Sequence, residues 1–201
     1  SSYYNGSFKA MKTTKPEKSL TREFSINYDL SKNISFQTVA YEGRVEDVLN
    51  RSNSSGGYNE TIDITQEGLE NSFTFKDKSQ SQRLTLSNTL SKSREGNGRP
   101  QLRRPEKQFA AKYTKKFLTS YIGPLSLNYD YRHVGKAEDW VGYYREDVDS
   151  TDIMNLSLSK EAFGLKFSLN ITNITDEKYQ RPYGYAQEGR RIGLLFRSKF
   201  R

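Results

Sequence analysis

Hydrophobic and polar residues alternate one by one over much of the chain. Apolar residues occupy every second position from Phe24 to Leu30, and the same alternation recurs from Leu165 to Ile171. A period of two places the apolar side chains of a strand on one face and the polar side chains on the other. No helical period of comparable strength is present. The sequence therefore predicts β-strands with one apolar face and little helix.

About ten such segments follow one another, joined alternately by short and long connections. Many of them reach about 10–15 residues, whereas strands of soluble proteins usually have roughly 5–6. Long amphipathic strands with short turns at one end and long loops at the other are typical of an outer-membrane β-barrel. The predicted strands are 2–10, 19–30, 33–47, 58–77, 82–93, 102–117, 123–136, 150–160, 164–175 and 189–200. The long polar connections among them are 11–18, 49–57, 94–101, 137–149 and 176–188.

Composition fits this interpretation. Hydrophobic residues make up only 33% of the chain and aromatic residues 13%. A barrel wall needs apolar residues only at alternate positions, since one face meets lipid and the other meets water. Aromatic residues near strand ends, including Tyr28, Tyr41 and Tyr129, predict the girdles that lie at the membrane interfaces. The absence of cysteine excludes disulfides and cysteine-ligated zinc.

The net charge of +8 is assigned mainly to the lumen, the loops and the rim of the barrel. Arg99, Arg103, Arg104 and Lys107 form a basic patch that could contact lipopolysaccharide phosphates outside the barrel or an anionic ligand inside it. No recognised DNA- or RNA-binding motif accompanies the patch, so nucleic acid is not an expected partner.

Several motifs occur in a fixed order along the chain. The C-terminal one is the most specific, and it combines Asn173, Asp176 and Tyr179 with Tyr183-Gly184-Tyr185 and Glu188-Gly189-Arg190. The earlier motifs are Lys15-Pro16-Glu17-Lys18-Ser19, Ala40-Tyr41-Glu42-Gly43-Arg44-Val45-Glu46-Asp47-Val48-Leu49, Tyr58-Asn59, Gly68-Leu69-Glu70 and Leu102-Arg103-Arg104-Pro105. In this order and at these spacings, the set resembles the TonB-dependent outer-membrane receptors.

The resemblance implies a fold and a function. Residues 1–201 would form the C-terminal portion of a 22-stranded antiparallel transmembrane barrel, with the plug domain, the TonB box and the signal peptide absent from this sequence. The expected location is the outer membrane of a Gram-negative bacterium, with lipid and lipopolysaccharide around the barrel. The TonB–ExbB–ExbD complex would act through the missing N-terminal region. No enzyme activity and no cofactor are expected.

The implied ligand is scarce and bulky, either cobalamin or an iron chelate such as a ferric siderophore or haem. Arg103-Arg104-Pro105 and Tyr183-Gly184-Tyr185 look most like the cobalamin (vitamin B12) receptor branch. The sequence departs from the family ending at Thr175, at Glu188 and at Arg201, which follows the terminal aromatic Phe200.

Two sets of residues are candidates for the functional site. The ligand-binding candidates in the loops are Trp140, Tyr143, Tyr144, Tyr183, Tyr185 and Arg190. The family motif consists of Asn173, Asp176, Tyr179, Gly189, Arg190 and Phe200, and its first three residues are expected where a strand reaches the outer rim. Acidic residues around 138–152 offer oxygen atoms suited to calcium, but they lack the spacing of a calcium loop.

Two other classes of protein remain open. A complete ten-stranded barrel of the omptin protease type would need an Asp–His pair at its rim, for which His133 with Asp130 or Asp147 is the available combination. His133 is otherwise expected to be structural or to face the lumen. A soluble β-rich binding domain is the third class, because alternation also occurs in soluble sheets.

Overall fold

Long antiparallel strands make up most of this computed structural model, which describes residues 15–51, 58–119, 123–141, 144–162 and 164–198. Within these ranges there are eleven strands and no helix. The strands are β1 (Lys18–Ser31), β2 (Ile34–Arg51), β3 (Tyr58–Lys76), β4 (Gln82–Glu95), β5 (Lys107–Thr119), β6 (Gly123–Val134), β7 (Ala137–Val141), β8 (Tyr144–Val148), β9 (Thr151–Ala162), β10 (Leu165–Thr172) and β11 (Arg191–Ser198). None of the described residues belongs to a helix that is long and apolar enough to cross a membrane.

Nine of the strands form one antiparallel sheet in the order β1-β2-β3-β4-β5-β6-β9-β10-β11. Each strand pairs with its neighbour in sequence, except that the hairpin β7–β8 is inserted between β6 and β9. Short connections such as 32–33 and 77–81 lie at one end of the sheet, and the connections 96–106, 135–150 and 173–190 lie at the other. We call the latter the long-loop end.

Nine of the ten predicted strands are confirmed, and the tenth, 2–10, lies outside the described residues. Several predicted boundaries were wrong: β2 runs to Arg51 and not to 47, and β10 ends at Thr172 and not at 175. The strand predicted at 102–117 begins only at Lys107, because residues 102–106 belong to a connection. The predicted loop 137–149 contains the hairpin β7–β8, in which Ala137 pairs with Val148 and Val141 with Tyr144.

The strand register places most of the apolar residues of the nine strands on one face of the sheet, with exceptions such as Val39, Leu118 and Leu195. One row of facing residues across four strands is Tyr28, Phe36, Phe73 and Leu86. We call this side the apolar face, and it is widely exposed, with Phe24 at 67% of its full accessibility. Other exposed members are Ile26, Leu69, Leu90, Phe109, Leu169, Ile192, Leu194 and Phe196.

The opposite side, which we call the polar face, carries hydroxyl, amide and charged groups. A row across this face consists of Ser35, Thr74, Thr85, Lys112 and Asp130. The hydroxyl oxygens of Thr74 and Thr85 are 3.4 Å apart across β3 and β4. The alternation in the sequence therefore separates a wet side of the sheet from an apolar one.

One aromatic residue lies on the unexpected side. Tyr41, predicted to join an interfacial girdle, lies on the polar face, where its ring covers Gly68 of the facing strand. A Cβ atom at Gly68 would come within 2.5 Å of the ring carbon Cζ of Tyr41. Glycine is therefore needed at position 68 for this close approach.

Very few apolar side chains are buried. In the described part of the chain the buried apolar residues are Ile64 and Ala137, so no conventional hydrophobic core is formed there. Buried polar residues are more numerous and comprise Glu95, Asp139, Thr151, Ser159 and Asn173. All of these except Ser159 lie at the long-loop end, which makes that end the best-packed part of the described structure.

A short turn at the opposite end shows how local sequence closes the hairpins. The carboxylate of Asp77 accepts hydrogen bonds from the hydroxyls of Ser79 and Ser81 and from the backbone N–H of Gln82. These bonds, with that from Ser79 foremost, lower the pKa of Asp77 to about 2. Polar side chains that bond to their own backbone are the usual chemistry of such turns.

Candidate functional site

Three connections meet at the long-loop end and form a single packed unit. We call this unit the loop cluster, and define it as the described residues of 96–106, 135–150 and 173–190. The hairpin β7–β8 lies at its centre. The backbone N–H of Arg103, in the first connection, donates to the carbonyl of Glu138 in β7 over 2.8 Å.

Asp139 joins all three connections. The residue is only 1% exposed, and Oδ1 accepts from the Nε of Arg103 and from the backbone N–H of Trp140, each over 2.8 Å. Oδ2 accepts from the backbone N–H of Tyr183 over 2.9 Å. Burial acts to raise the pKa of Asp139, but these hydrogen bonds outweigh it and hold the pKa below its ordinary value.

Arg145 anchors the hairpin to the end of β4. Its Nη2 lies 2.6 Å and 2.8 Å from the two carboxylate oxygens of Glu95, and both side chains are largely buried. Nη1 donates to the carbonyl of Pro100 over 2.9 Å and lies 3.6 Å from Glu138. The guanidinium also lies over the ring of Trp140, 5.4 Å from the ring centroid. Planar, multidentate contacts of this kind suit arginine and not lysine.

Arg181 ties the third connection to the base of the hairpin. Its Nη2 donates to the backbone carbonyls of Val134, Gly135 and Asp149 at 2.8–3.1 Å. Burial lowers the pKa of Arg181 from its ordinary value. A guanidinium nevertheless stays protonated at neutral pH, so a fixed cation holds these three carbonyl groups together.

The predicted family motif forms a second clamp at the rim. Asn173 is buried and takes a positive φ of 51°, and its side-chain nitrogen donates to the carbonyls of Glu177 and Glu188. Asp176 accepts from the backbone N–H of Arg190 over 2.7 Å. That bond, followed by the hydrogen bond from Lys178, lowers the pKa of Asp176.

Gly189 and Tyr179 complete this clamp. A Cβ atom at Gly189 would lie 2.5 Å from Oδ1 of Asp176, so the clamp closes only over a glycine. The carbonyl of Tyr179 accepts from the backbone N–H of Gln187 over 3.0 Å. Asn173, Asp176, Tyr179 and Gly189 therefore act together in shaping the rim, while Phe200 lies outside the described residues.

The predicted ligand-binding residues differ in how exposed their side chains are. Tyr144, Tyr183 and Tyr185 are exposed by 73%, 45% and 68%. Trp140 is partly covered by Arg145. Arg190 is exposed, and its guanidinium lies 3.5 Å from the carbonyl of Ile174. Tyr143 lies outside the described residues. Ligand contact by these side chains stays a prediction.

His133 does not face the lumen side, contrary to one sequence expectation. In the register it lies opposite Phe109 and Asp152, on the apolar face near the long-loop end. Its Nδ1 lies 2.9 Å from Oδ1 of Asp152, which also accepts from the hydroxyl of Tyr131 over 2.6 Å. The sequence had offered Asp130 or Asp147 as partners. Asp130 is instead on the polar face, where it accepts from Asn155.

The described residues contain no group of three or more His, Cys, Asp or Glu side chains that could hold a metal ion. Two of the acidic residues considered for calcium are already paired with arginines. Asp139 is bound by Arg103, and Glu138 lies beside Arg145. The carboxylates of Glu138 and Asp139 therefore help to assemble the loop cluster.

Sequence reasoning found the rim motif and the exposed tyrosines but missed the residues that hold the loops together. Glu95, Arg145 and Arg181 carried no recognisable motif. The only signal was that the long connections contain both acidic residues and arginines. Such a composition is compatible with a solvated loop as well as with an ion-paired one.

No protein-family model and no curated protein matches the sequence. Several solved structures match the fold. The pyoverdine outer-membrane receptor FpvA from Pseudomonas aeruginosa PAO1 has a TM-score of 0.75 at 16% identity, over 93% of this chain and 30% of that chain. The ferric yersiniabactin uptake receptor FyuA from Yersinia pestis has a TM-score of 0.73 at 16% identity, over 89% and 29% of the two chains.

The copper transporter OprC also matches, with a TM-score of 0.72 at 16% identity, over 94% of this chain and 32% of that chain. The chain thus spans less than a third of the length of each of these proteins. At this level of identity the likeness concerns the fold alone. It confirms the predicted all-β architecture, that of part of an outer-membrane receptor barrel.

Proposed function

We propose that residues 1–201 form the C-terminal portion of the barrel of a TonB-dependent outer-membrane receptor. The observation that carries this proposal is the match of about nine-tenths of the chain to receptor barrels that transport metal chelates or copper. The ordered motifs, from Lys15-Pro16-Glu17 to Glu188-Gly189-Arg190, support the same family. The plug, the TonB box and the remaining strands would be supplied by a preceding part of the same protein.

In this function the two faces of the sheet have different tasks. The apolar face contacts lipid, since exposed residues such as Phe24 and Leu194 need a hydrocarbon environment. The polar face lines the transport path. The loop cluster would receive the ligand outside the cell, and an energised inner-membrane complex would then open the path. No bond chemistry is required of this segment.

We infer that the ligand is a small metal chelate. The neighbours are receptors for pyoverdine and ferric yersiniabactin and a copper transporter, which favours chelated metal over other cargo. Cobalamin was suggested by Arg103-Arg104-Pro105 and Tyr183-Gly184-Tyr185. Arg103 and the N–H of Tyr183 are both bound to Asp139. These motifs therefore have a structural explanation and lend little support to any one ligand.

The surface proposed for ligand contact is the exposed aromatic part of the loop cluster. Tyr144, Tyr183 and Tyr185 present rings that could pack on a flat chelate. The side chain of Arg103 is 62% exposed although its Nε is bound, which leaves a cation beside Tyr183. Arg190 offers a second exposed cation at the rim. Together these groups suit an anionic ligand with aromatic or conjugated parts.

The protease alternative has lost its structural basis. His133 pairs with Asp152 on the face that would contact lipid, and neither Asp130 nor Asp147 is its partner. The neighbours are receptors and transporters. A soluble domain is equally hard to reconcile with the continuous exposed apolar face.

The test is uptake by whole cells of a strain from which the gene has been deleted. Labelled ferric siderophores, copper and cobalamin are supplied separately, with and without the complementing gene and in the presence or absence of TonB. We expect TonB-dependent uptake of one metal chelate only when the gene is present. Uptake of all three ligands that is unaffected by deletion, or that does not require TonB, would overturn the proposal.

Matched variants locate the contact surface. Tyr185→Ala and Tyr144→Ala alter exposed rings at the long-loop end, whereas Lys78→Ala alters an exposed side chain in a turn at the other end. The tyrosine variants should raise the ligand concentration that gives half-maximal uptake, and Lys78→Ala should leave it unchanged. Equal behaviour of all three variants would exclude these tyrosines as contacts.

A further inference from the structure

A polar row interrupts the apolar face. Thr38, Asn71 and Asn88 lie side by side on β2, β3 and β4, and all three belong to this face. The rows on either side are apolar, with Ala40, Leu69 and Leu90 toward the long loops and Phe36, Phe73 and Leu86 toward the short turns. The hydroxyl of Thr38 donates to Oδ1 of Asn71 over 2.8 Å. Among the described residues, the amide nitrogen of Asn71 and the whole amide of Asn88 have no hydrogen-bond partner.

The depth of this row in a membrane follows from strand geometry. Toward the long loops, the apolar face ends where Glu67 and Lys92 face each other, and at the other end β3 leads into the turn at Asp77. With a rise of about 3.4 Å per residue and a tilt of about 40°, the stretch from Glu67 to Asp77 spans about 26 Å of height, close to the roughly 25 Å apolar band of outer-membrane barrels. Asn71 then lies about 10 Å inside the band. Unpaired polar groups are costly at that depth, because no water reaches them.

A groove of about 270 Å³ opens at the two amides. Its apolar walls are formed by Phe36, Phe73, Leu86 and Phe109, while Asn71 and Asn88 contribute the polar groups. A lipid acyl chain fills such a groove but offers neither a donor nor an acceptor. A polar side chain of another protein surface in the membrane satisfies the amides as well. The groove therefore fits a protein partner better than lipid.

The surface of β3 and β4 is complementary to itself. A two-fold axis along the membrane normal, passing between these strands, places β3 of one copy against β4 of a second copy. Asn71 then meets Asn88 of the second copy, and Glu67 meets Lys92 of the second copy. An amide carries both a donor and an acceptor, so each of the two amide pairs can form two hydrogen bonds. The side chains of Lys92 and Glu67 are 61% and 68% exposed, which leaves both accessible to the opposite charge.

The apolar rows fit the same axis. Leu69 would meet Leu90 of the second copy, and Phe73 would meet Leu86, so that apolar groups face one another on both sides of the amides. On the flanking strands, Phe36 of β2 would lie against the small Ala111 of β5, since both belong to the row of Phe73 and Leu86. Charge, hydrogen bonding and size are therefore all matched by a second copy.

We propose that two copies of this protein associate side by side in the membrane through β3 and β4, with Asn71 and Asn88 paired across a two-fold axis. The proposal rests on the membrane placement of the proposed function but not on the transported ligand. A second copy is favoured over a different protein because one surface supplies both members of every pair. Such isologous two-fold contacts are the commonest form of protein self-association.

The first test is cross-linking of the complete protein in intact outer membranes. Leu90→Cys places a thiol next to the amide row, whereas Leu194→Cys places one on the exposed apolar face of β11, at the far edge of the sheet. The present chain has no cysteine of its own. A short bismaleimide should join two copies that carry Leu90→Cys and few that carry Leu194→Cys. Equal yields at the two positions, or a product that contains a different protein, would overturn the proposal.

The amides are tested in the Leu90→Cys background. Asn71→Leu/Asn88→Leu removes four hydrogen bonds between membrane-embedded side chains and should weaken association roughly 50-fold. Asn71→Gln/Asn88→Gln is the matched control, because it keeps both amides and should associate at least about tenfold more tightly than the leucine variant. Equal cross-linking of the two double variants would show that the amides do not hold the copies together.

Charge reversal tests which strands meet. Two copies of Glu67→Lys, or two copies of Lys92→Glu, would bring like charges together, whereas a mixed pair brings each cation against a carboxylate. With a different tag on each variant, mixed dimers should exceed same-variant dimers about tenfold. A change confined to the folding of each copy cannot produce this preference. A random mixture of the two variants would exclude the proposed pairing of β3 with β4.

The cross-linking and uptake measurements fail independently. Asn71→Leu/Asn88→Leu should import the metal chelate as the unaltered protein does, because both side chains lie on the apolar face and outside the loop cluster. Uptake that does not require TonB would end the proposed function and leave the cross-linking unchanged. Cross-linking that is the same at Leu90→Cys and Leu194→Cys would end the dimer and leave uptake unchanged.

Discussion

Replacing Asp139 by asparagine should detach the third connection from the hairpin. The substitution keeps the shape of the side chain but removes its charge and turns one acceptor oxygen into a donor. If Oδ1 keeps its bonds to Arg103 and Trp140, the new amide nitrogen faces the N–H of Tyr183, which also donates. That hydrogen bond is then lost, and the bond from Arg103 loses its ionic character.

The magnitude follows from these contacts. A hydrogen bond to a charged group contributes about 1.5–3 kcal/mol. The N–H of Tyr183 donates to a fully buried carboxylate, so this hydrogen bond should contribute its full free energy. The side chain of Arg103 is 62% exposed, so solvent reduces the free energy of its ionic interaction with Asp139. We therefore expect the contact at Tyr183 to weaken by about 2 kcal/mol, which corresponds to roughly 30-fold faster local opening.

Hydrogen exchange of the complete protein in detergent measures this opening. Peptides covering 180–188 should exchange about 30-fold faster in Asp139→Asn than in the unaltered protein. Asp147→Asn is the control, because Asp147 is an exposed carboxylate of the same hairpin. If the 180–188 peptides exchanged equally in both variants, Asp139 would not join the connections as the structure indicates.

The same contact makes the loop cluster sensitive to acid. Hydrogen bonds hold the native pKa of Asp139 below the ordinary value of 3.8. A carboxylate with a lowered native pKa stabilises the folded form fully above its unfolded pKa and loses this effect as the pH falls through the native value. Exchange in 180–188 should therefore accelerate below about pH 4, and Asp139→Asn should remove that part of the pH dependence.

Two further predictions concern the rim and the hairpin. Gly189→Ala places a Cβ atom against Asp176 and should speed exchange at the rim about tenfold by breaking one charge-assisted bond, whereas Gly193→Ala, with open space around it, should not. Arg145→Gln removes a buried cation and should cost the hairpin about 3–5 kcal/mol, seen as rapid proteolysis within 137–148. Lys136→Gln breaks only an exposed pair and should leave that cleavage slow.

The strands could be predicted because their physics is local. A strand with lipid on one side and water on the other must alternate residue by residue, and Phe24 to Leu30 or Leu165 to Ile171 shows this without any knowledge of partners. Pairing of each strand with the next then follows from the short turns. Even the boundaries of β3 and β4 were predicted to within two residues.

The hairpin β7–β8 could not be predicted in the same way. Its strands have five residues each, and β8 consists of Tyr-Arg-Glu-Asp-Val, which has no apolar alternation. It is held by ion pairs such as Arg145 with Glu95, fifty positions apart in sequence. Nothing within a window of a few residues signals a contact of this kind, because the partner is defined only once the sheet has brought the ends of β4 and β6 together.

The rim motif is intermediate between the strands and the hairpin β7–β8. Its residues could be recognised from the sequence, but they indicate a fold and not a ligand. Asn173, Asp176 and Gly189 are recognisable by their spacing because each one fulfils a backbone requirement: two positive φ angles and one close approach. Such requirements come with the fold and not with a ligand. In the proposed function, specificity would therefore arise from side chains that the closure leaves exposed, which is why the exposed tyrosines, and not the motif, are the residues to vary in uptake experiments.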